Sequence, residues 1–172
     1  HPNMERYERE RSEMSETVEQ ARALMEVGSK SYRSGRFAEA AAQYREALEV
    51  ADLERPKNEI TLAMCHNHVG LCRGSQGMYE QALPHYFEAI EILGSRSGEE
   101  SIKLRASVHN NIAIVHYHTQ DIDACEKHME QALELDQAPA ADEQVGVVVL
   151  GRDDDVRACV EVAPLAGGGV LD

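Results

Sequence analysis

The chain has 172 residues, enough for one domain with its own core. Hydrophobic residues make up 42%, aromatics only 5%, and Trp is absent, so the interior must be packed from Ala, Leu, Val, Ile and Met. That composition favours close-packed helices over an aromatic-rich sandwich. With 17 Lys and Arg against 31 Asp and Glu, the formal charge is -14 and no basic run interrupts it, so neither nucleic acid nor a membrane surface is an expected partner.

Residues 1–20 interleave Glu and Arg at spacings that a helix brings together, which predicts an exposed helical extension running into the first true helix. His1-Pro2-Asn3 ahead of Met4 reads as a vector-derived start, and no secretory leader pattern follows it. A trimmed piece of a longer repeat protein fits that start as well.

Residues 21–136 carry three copies of one pattern, beginning at Ala21, Ala63 and Ala106, 42 and 43 residues apart. A fixed period of this size means stacked supersecondary units. The first half of each copy places Leu24, Val27, Gly28 and Ser31 on one face, then His66, Val69, Gly70 and Arg73, then His109, Ile112, Ala113 and His116. The second half repeats a helical stripe: Phe37, Ala40, Tyr44, Ala47 and Leu48; Tyr79, Ala82, Tyr86, Ala89 and Ile90; Ile122, Cys125, Met129, Ala132 and Leu133. Gly35, Gly77 and Gln120 fall between the halves, where a tight turn is predicted. Gly28, Gly70 and Ala113 are small enough to let the two helices of a copy approach, and a large side chain there would overpack the contact.

The residues between copies predict lengthened first helices in copies two and three. Pro56 suits a first helical turn, and Ser97 with Glu100 has the form of a capping box. Residues 137–172 change to Ala, Gly, Pro and Asp, and read as an irregular tail with a short helix near Asp153–Val162. Val147–Leu150 is the longest apolar run, far short of a membrane span.

Chemistry is sparse. His66/His68 and His116/His118 are i, i+2 pairs that point to different faces of a helix, whereas a helical zinc pair needs i, i+4. No metal and no cofactor is expected. Cys65, Cys72, Cys125 and Cys159 form no CxxC, and Cys65 and Cys72 lie two helical turns apart, beyond disulfide reach. They read as reduced core thiols of a reducing compartment. No nucleophile elbow, phosphate loop or zinc-protease motif appears, so an enzyme is not expected.

The small–aromatic–small series, three times in register, resembles the tetratricopeptide repeat. The long period is similar to that of kinesin light chains and Pins-type adaptors, as is the segment from His109 to Ala113. The resemblance implies an all-α fold, a right-handed solenoid of three helix-turn-helix repeats over 21–136, in the cytoplasm and associated with the cytoskeleton. The usual Trp near the start of each first helix is Leu24, His66 and His109 here. By the same resemblance a partner's peptide segment lies along the first helices. The contacting positions are Arg22, Met25, Ser29, Tyr32 and Arg33, then Met64, Asn67, Leu71 and Ser75, then Ser107, Asn110, Asn111, Ile114, Tyr117 and His118. Met25, Ser29 and Tyr32 at i, i+4 and i+7 agree with a shared face, and Asn67 and Asn110 offer donor and acceptor groups suited to a peptide backbone. Chaperone-binding relatives clamp a carboxylate with Lys, Asn and Arg where this chain has Met25, Ser29, His68, Ser107 and Asn111, so a heat-shock chaperone tail is not an expected ligand. The alternatives are a structural subunit of a cytoskeletal or ciliary assembly, a homo-oligomer joined through the repeats, or capture of the chain's own C-terminal tail.

Overall fold

A computed structural model describes residues 2–54 and 57–136; the expected tail helix, the Val147–Leu150 run and Pro56 lie outside the described residues. Within them the protein is all-α. Six helices follow one another: α1 Pro2–Arg33, α2 Phe37–Asp52, α3 Glu59–Ser75, α4 Tyr79–Leu93, α5 Glu99–His118 and α6 Ile122–Asp136. The chain divides into two compact units, one through Ile92 and the other from Leu93 onward. In the first, α1 packs on α2 and α2 on α3; in the second, α5 packs on α6.

The extension and the first repeat helix are one continuous helix of 32 residues. Its early part is held by i, i+4 pairs such as Arg6 to Glu10 at 2.8 Å, and its side chains are exposed. Helices α3 and α5 have 17 and 20 residues, against 15 in α4 and in α6.

Two helix starts differ from expectation. Helix α3 begins after Asn58, whose side-chain oxygen accepts the N–H of Thr61 at 3.1 Å, not at Pro56. Helix α5 is capped by Gly98, which has extended backbone and no side chain to donate or accept. That places Ser97 one residue too early to reach the first turn, and the capping box does not form.

The turns inside the three repeats are built alike. Arg36 N–H reaches the Ser31 carbonyl, Met78 the Arg73 carbonyl and Asp121 the His116 carbonyl, each at 2.9 Å. This six-to-one bond closes a helix end through a left-handed residue. That residue is Gly35 (φ +74°), Gly77 (φ +73°) and, in the third repeat, Gln120 (φ +63°). A side chain in this region costs roughly 1 kcal/mol that glycine avoids. Gln120→Gly is therefore expected to stabilise the protein by about 1 kcal/mol in urea denaturation. A loss of stability would show that Gln120 contributes contacts worth more than its strain.

The core follows the small–aromatic series. A Cβ on Gly70 would fall 2.6 Å from the Tyr86 ring, and one on Gly28 3.0 Å from the Tyr44 ring. Both rings are thus seated on bare helix backbone. In the third repeat Ala113 packs with Cys125 and Met129, a thinner and more flexible neighbour than tyrosine. In the first unit Val69 and Cys72 of α3 pack on Ala40, Ala41 and Tyr44 of α2. Helix α1 carries Gln20, Ala23 and Lys30, all exposed, at the repeat positions where α3 carries buried Leu62, Cys65 and Cys72. Val27 is accordingly 45% exposed, while Val69 at the same repeat position is fully buried.

Candidate protein-binding face

In the first unit a side-chain contact links the first helices of two repeats. The Tyr32 hydroxyl of α1 and the Ser75 hydroxyl of α3 are 2.9 Å apart, and either can donate. The Tyr32 ring tilts against Phe37 at 5.1 Å, and both Tyr32 and Met25 pack on the core cluster of Ala40, Ala41, Tyr44, Val69 and Cys72. Burial pushes the Tyr32 phenol above its ordinary value, so it remains a neutral hydrogen-bonding group. Ser29 bonds the phenol of Tyr44, and its carbonyl accepts from Arg33 Nε at 3.4 Å. Tyr44 is pushed up to about 12, chiefly by burial. His68 stacks on the Tyr44 ring at 4.6 Å and donates from Nδ1 to the Met64 carbonyl at 2.7 Å. Burial holds its imidazole neutral by lowering its pKa.

Of the positions expected to meet a peptide here, Arg22, Arg33 and Ser75 are exposed, and Met25, Ser29, Tyr32, Met64 and Leu71 are half-buried. Asn67 is different: it is 1% exposed and engaged within the fold. In the second unit Ser107, Asn110 and Asn111 on α5 are buried, Ile114 and Tyr117 are half-buried, and His118 is exposed. Tyr117 leans on the Ala113, Cys125 and Met129 cluster and meets the His118 ring edge-on at 5.7 Å. The structure therefore brings together an accessible set from α1 and α3 and sets the asparagines beneath the surface.

The histidines pair across helices. His66 Nδ1 of α3 lies 3.1 Å from His85 Nδ1 of α4, and His109 Nδ1 of α5 lies 3.0 Å from His128 Nδ1 of α6. A search within single helices misses these pairs, because each joins the first helix of a repeat to the second. The available signal is the recurrence: His66 and His109 sit at one repeat position, His85 and His128 at another. Among the described residues no group of three or more His, Cys, Asp or Glu side chains is placed to hold a metal ion. Cys65, Cys72 and Cys125 are free and buried, and burial pushes Cys65 and Cys72 up to about 12, leaving them protonated and unreactive. No helix among the described residues is long and apolar enough to cross a membrane.

Comparison with known proteins agrees with this architecture. Residues 106–139 match the tetratricopeptide repeat. Among solved structures, BtubC (BKLC) from P. vanneervenii is similar, with a TM-score of 0.59 and 24% sequence identity over 77% of this chain. The chain spans 57% of that structure's length, and the likeness shows the fold. No curated protein matches.

Proposed function

We propose that this protein of the tetratricopeptide-repeat type is a non-enzymatic interaction module that takes up a short segment of a partner protein along its first helices. The observation that carries the reading is the Tyr32–Ser75 contact at 2.9 Å, which joins α1 and α3 into one face. That face mixes half-buried apolar side chains, Met25 and Leu71, with the exposed guanidinium of Arg22. Apolar contact with a few fixed polar groups is the usual composition of a peptide-binding surface. Asn67 is buried within α3 beneath that face. Stacking on another chain is the competing reading. It is disfavoured because Gln20, Ala23 and Lys30 deprive α1 of the apolar surface that α3 uses against α2.

An array of short unstructured peptides probed with the intact protein tests the proposal. A subset of sequences should bind, and Arg22→Glu with Leu71→Asp should weaken them by about tenfold or more, about 1.4 kcal/mol, at unchanged helicity. Glu46→Lys on the exposed side of α2 should leave binding intact. Equal binding by the double variant would move the site elsewhere, and a mass that rises with concentration in light scattering would favour assembly.

A further inference from the structure

The paired imidazoles recur at one place in two successive repeats, and nothing in the binding face uses them. In each pair two ring nitrogens face each other at 3.0 to 3.1 Å. One must carry a hydrogen and the other a lone pair, since two N–H groups cannot point at each other. The rings lie 5.4 Å apart in the first pair and 5.3 Å in the second, so each also fills the contact between its two helices. The first proton a pair takes up can sit on the outer nitrogen of the donor ring and leave the hydrogen bond in place; the second, on the acceptor nitrogen, removes it and places two like charges in that seam.

We infer that the two pairs are acid-sensitive latches, each holding the first helix of its repeat to the second when neutral and releasing it when both rings are protonated. The surroundings favour release. Around His66 and His85 lie Arg73 on α3, Arg45 on α2 and Glu88 on α4, two cations against one carboxylate. Around His109 and His128 lie Arg105 and His116 on α5 and Lys127 on α6. The nearby Asp121 carboxylate faces His116 at 3.6 Å. Burial is the largest cause holding all four rings below the ordinary histidine value, with His109 lowered to about 4.

The sign follows from linkage. An unfolded chain takes up these protons near pH 6.5, whereas the folded pairs resist them until lower pH. The unfolded state therefore binds more protons in that window. The contribution of the pairs is complete above about pH 6.5 and is lost as the pH falls through the lowered values of the folded rings, which for His109 is about 4. Each withheld proton reduces the folded-to-unfolded ratio about tenfold per pH unit across the window.

Urea unfolding of the full chain, followed by circular dichroism at neutral and mildly acidic pH, tests this. The parent should lose stability on acidification. His66→Phe with His85→Phe, and His109→Phe with His128→Phe, keep a ring on each side and should each remove part of that loss; the fourfold variant should remove most of it. An undiminished loss in the fourfold variant would overturn the inference. If those variants do not fold, histidine ring-proton NMR of the parent decides: titration of both rings of each pair well below the ordinary histidine range supports the latches, and titration of the paired rings within that range overturns them.

Discussion

Gly70→Ala should lower the stability of the protein by about 1–3 kcal/mol, and Tyr86→Met in the same chain should return much of that loss. The added methyl would sit 2.6 Å from Cε1 and 2.9 Å from Cδ1 and Cζ of Tyr86. The Tyr86 ring is only 2% exposed and has nowhere to retreat. Alanine is worth about 1 kcal/mol over glycine in a helix interior, so the penalty must exceed that before it shows. The third repeat indicates the remedy, since Ala113 coexists there with Met129. Gly28→Ala is the graded control. Its methyl would approach Tyr44 at 3.0 Å, a milder conflict that helix propensity can offset, leaving stability nearly unchanged. Equilibrium urea denaturation of the parent, Gly70→Ala, Tyr86→Met and the double variant measures the coupling, with Gly28→Ala beside them. Equal effects at Gly28 and Gly70, or no rescue by methionine, would refute the seating of a ring on bare backbone.

Leu62→Ala should cost more, about 2–5 kcal/mol. Leu62 is 7% exposed and belongs to a cluster that draws on Ala21 of α1, Ala51, Leu48 and Val50 of α2, and Ile92 of α4. One side chain thus fills a space bounded by three other helices. The alanines around it are too short to close the cavity. Against a typical stability of about 5–15 kcal/mol, the loss should shift the urea midpoint visibly. A cost below about 1 kcal/mol would mean that the neighbouring helices collapse onto the gap.

The repeat architecture was legible because its signals are local. Gly35 and Gly77 mark turns by their backbone freedom, and the shared register places Gln120 in the same left-handed bend despite its side chain. The stripes through Tyr44, Tyr86 and Met129 name the inward faces, and all three residues are buried. What sits across from an inward face was not legible. A helical wheel places His66 and His68 on different faces, which holds, but it does not say that one meets His85 and the other Tyr44. The asparagines show the same boundary. Asn67 and Asn110 lie on the row expected to be open, yet both are buried, because accessibility depends on what the chain lays over a row and not on the row alone. Helix starts were missed for a related reason: Asn58 and Gly98 displaced two plausible alternatives, by a few residues in α3 and by one in α5, through where the backbone turns.

Helix α1 is a single object in shape but not in energy. Its first part, residues 2–20, runs about 28 Å at the standard rise, and its cohesion comes from its own backbone bonds and from pairs such as Arg6 with Glu10. From Ala21 onward the same helix is clamped by its neighbours. Unwinding within residues 2–20 can halt where the clamp begins, leaving the repeats untouched. The projecting half is then a rigid boom at rest and a tether when frayed, so the reach of anything fastened to it changes without any rearrangement in the repeats.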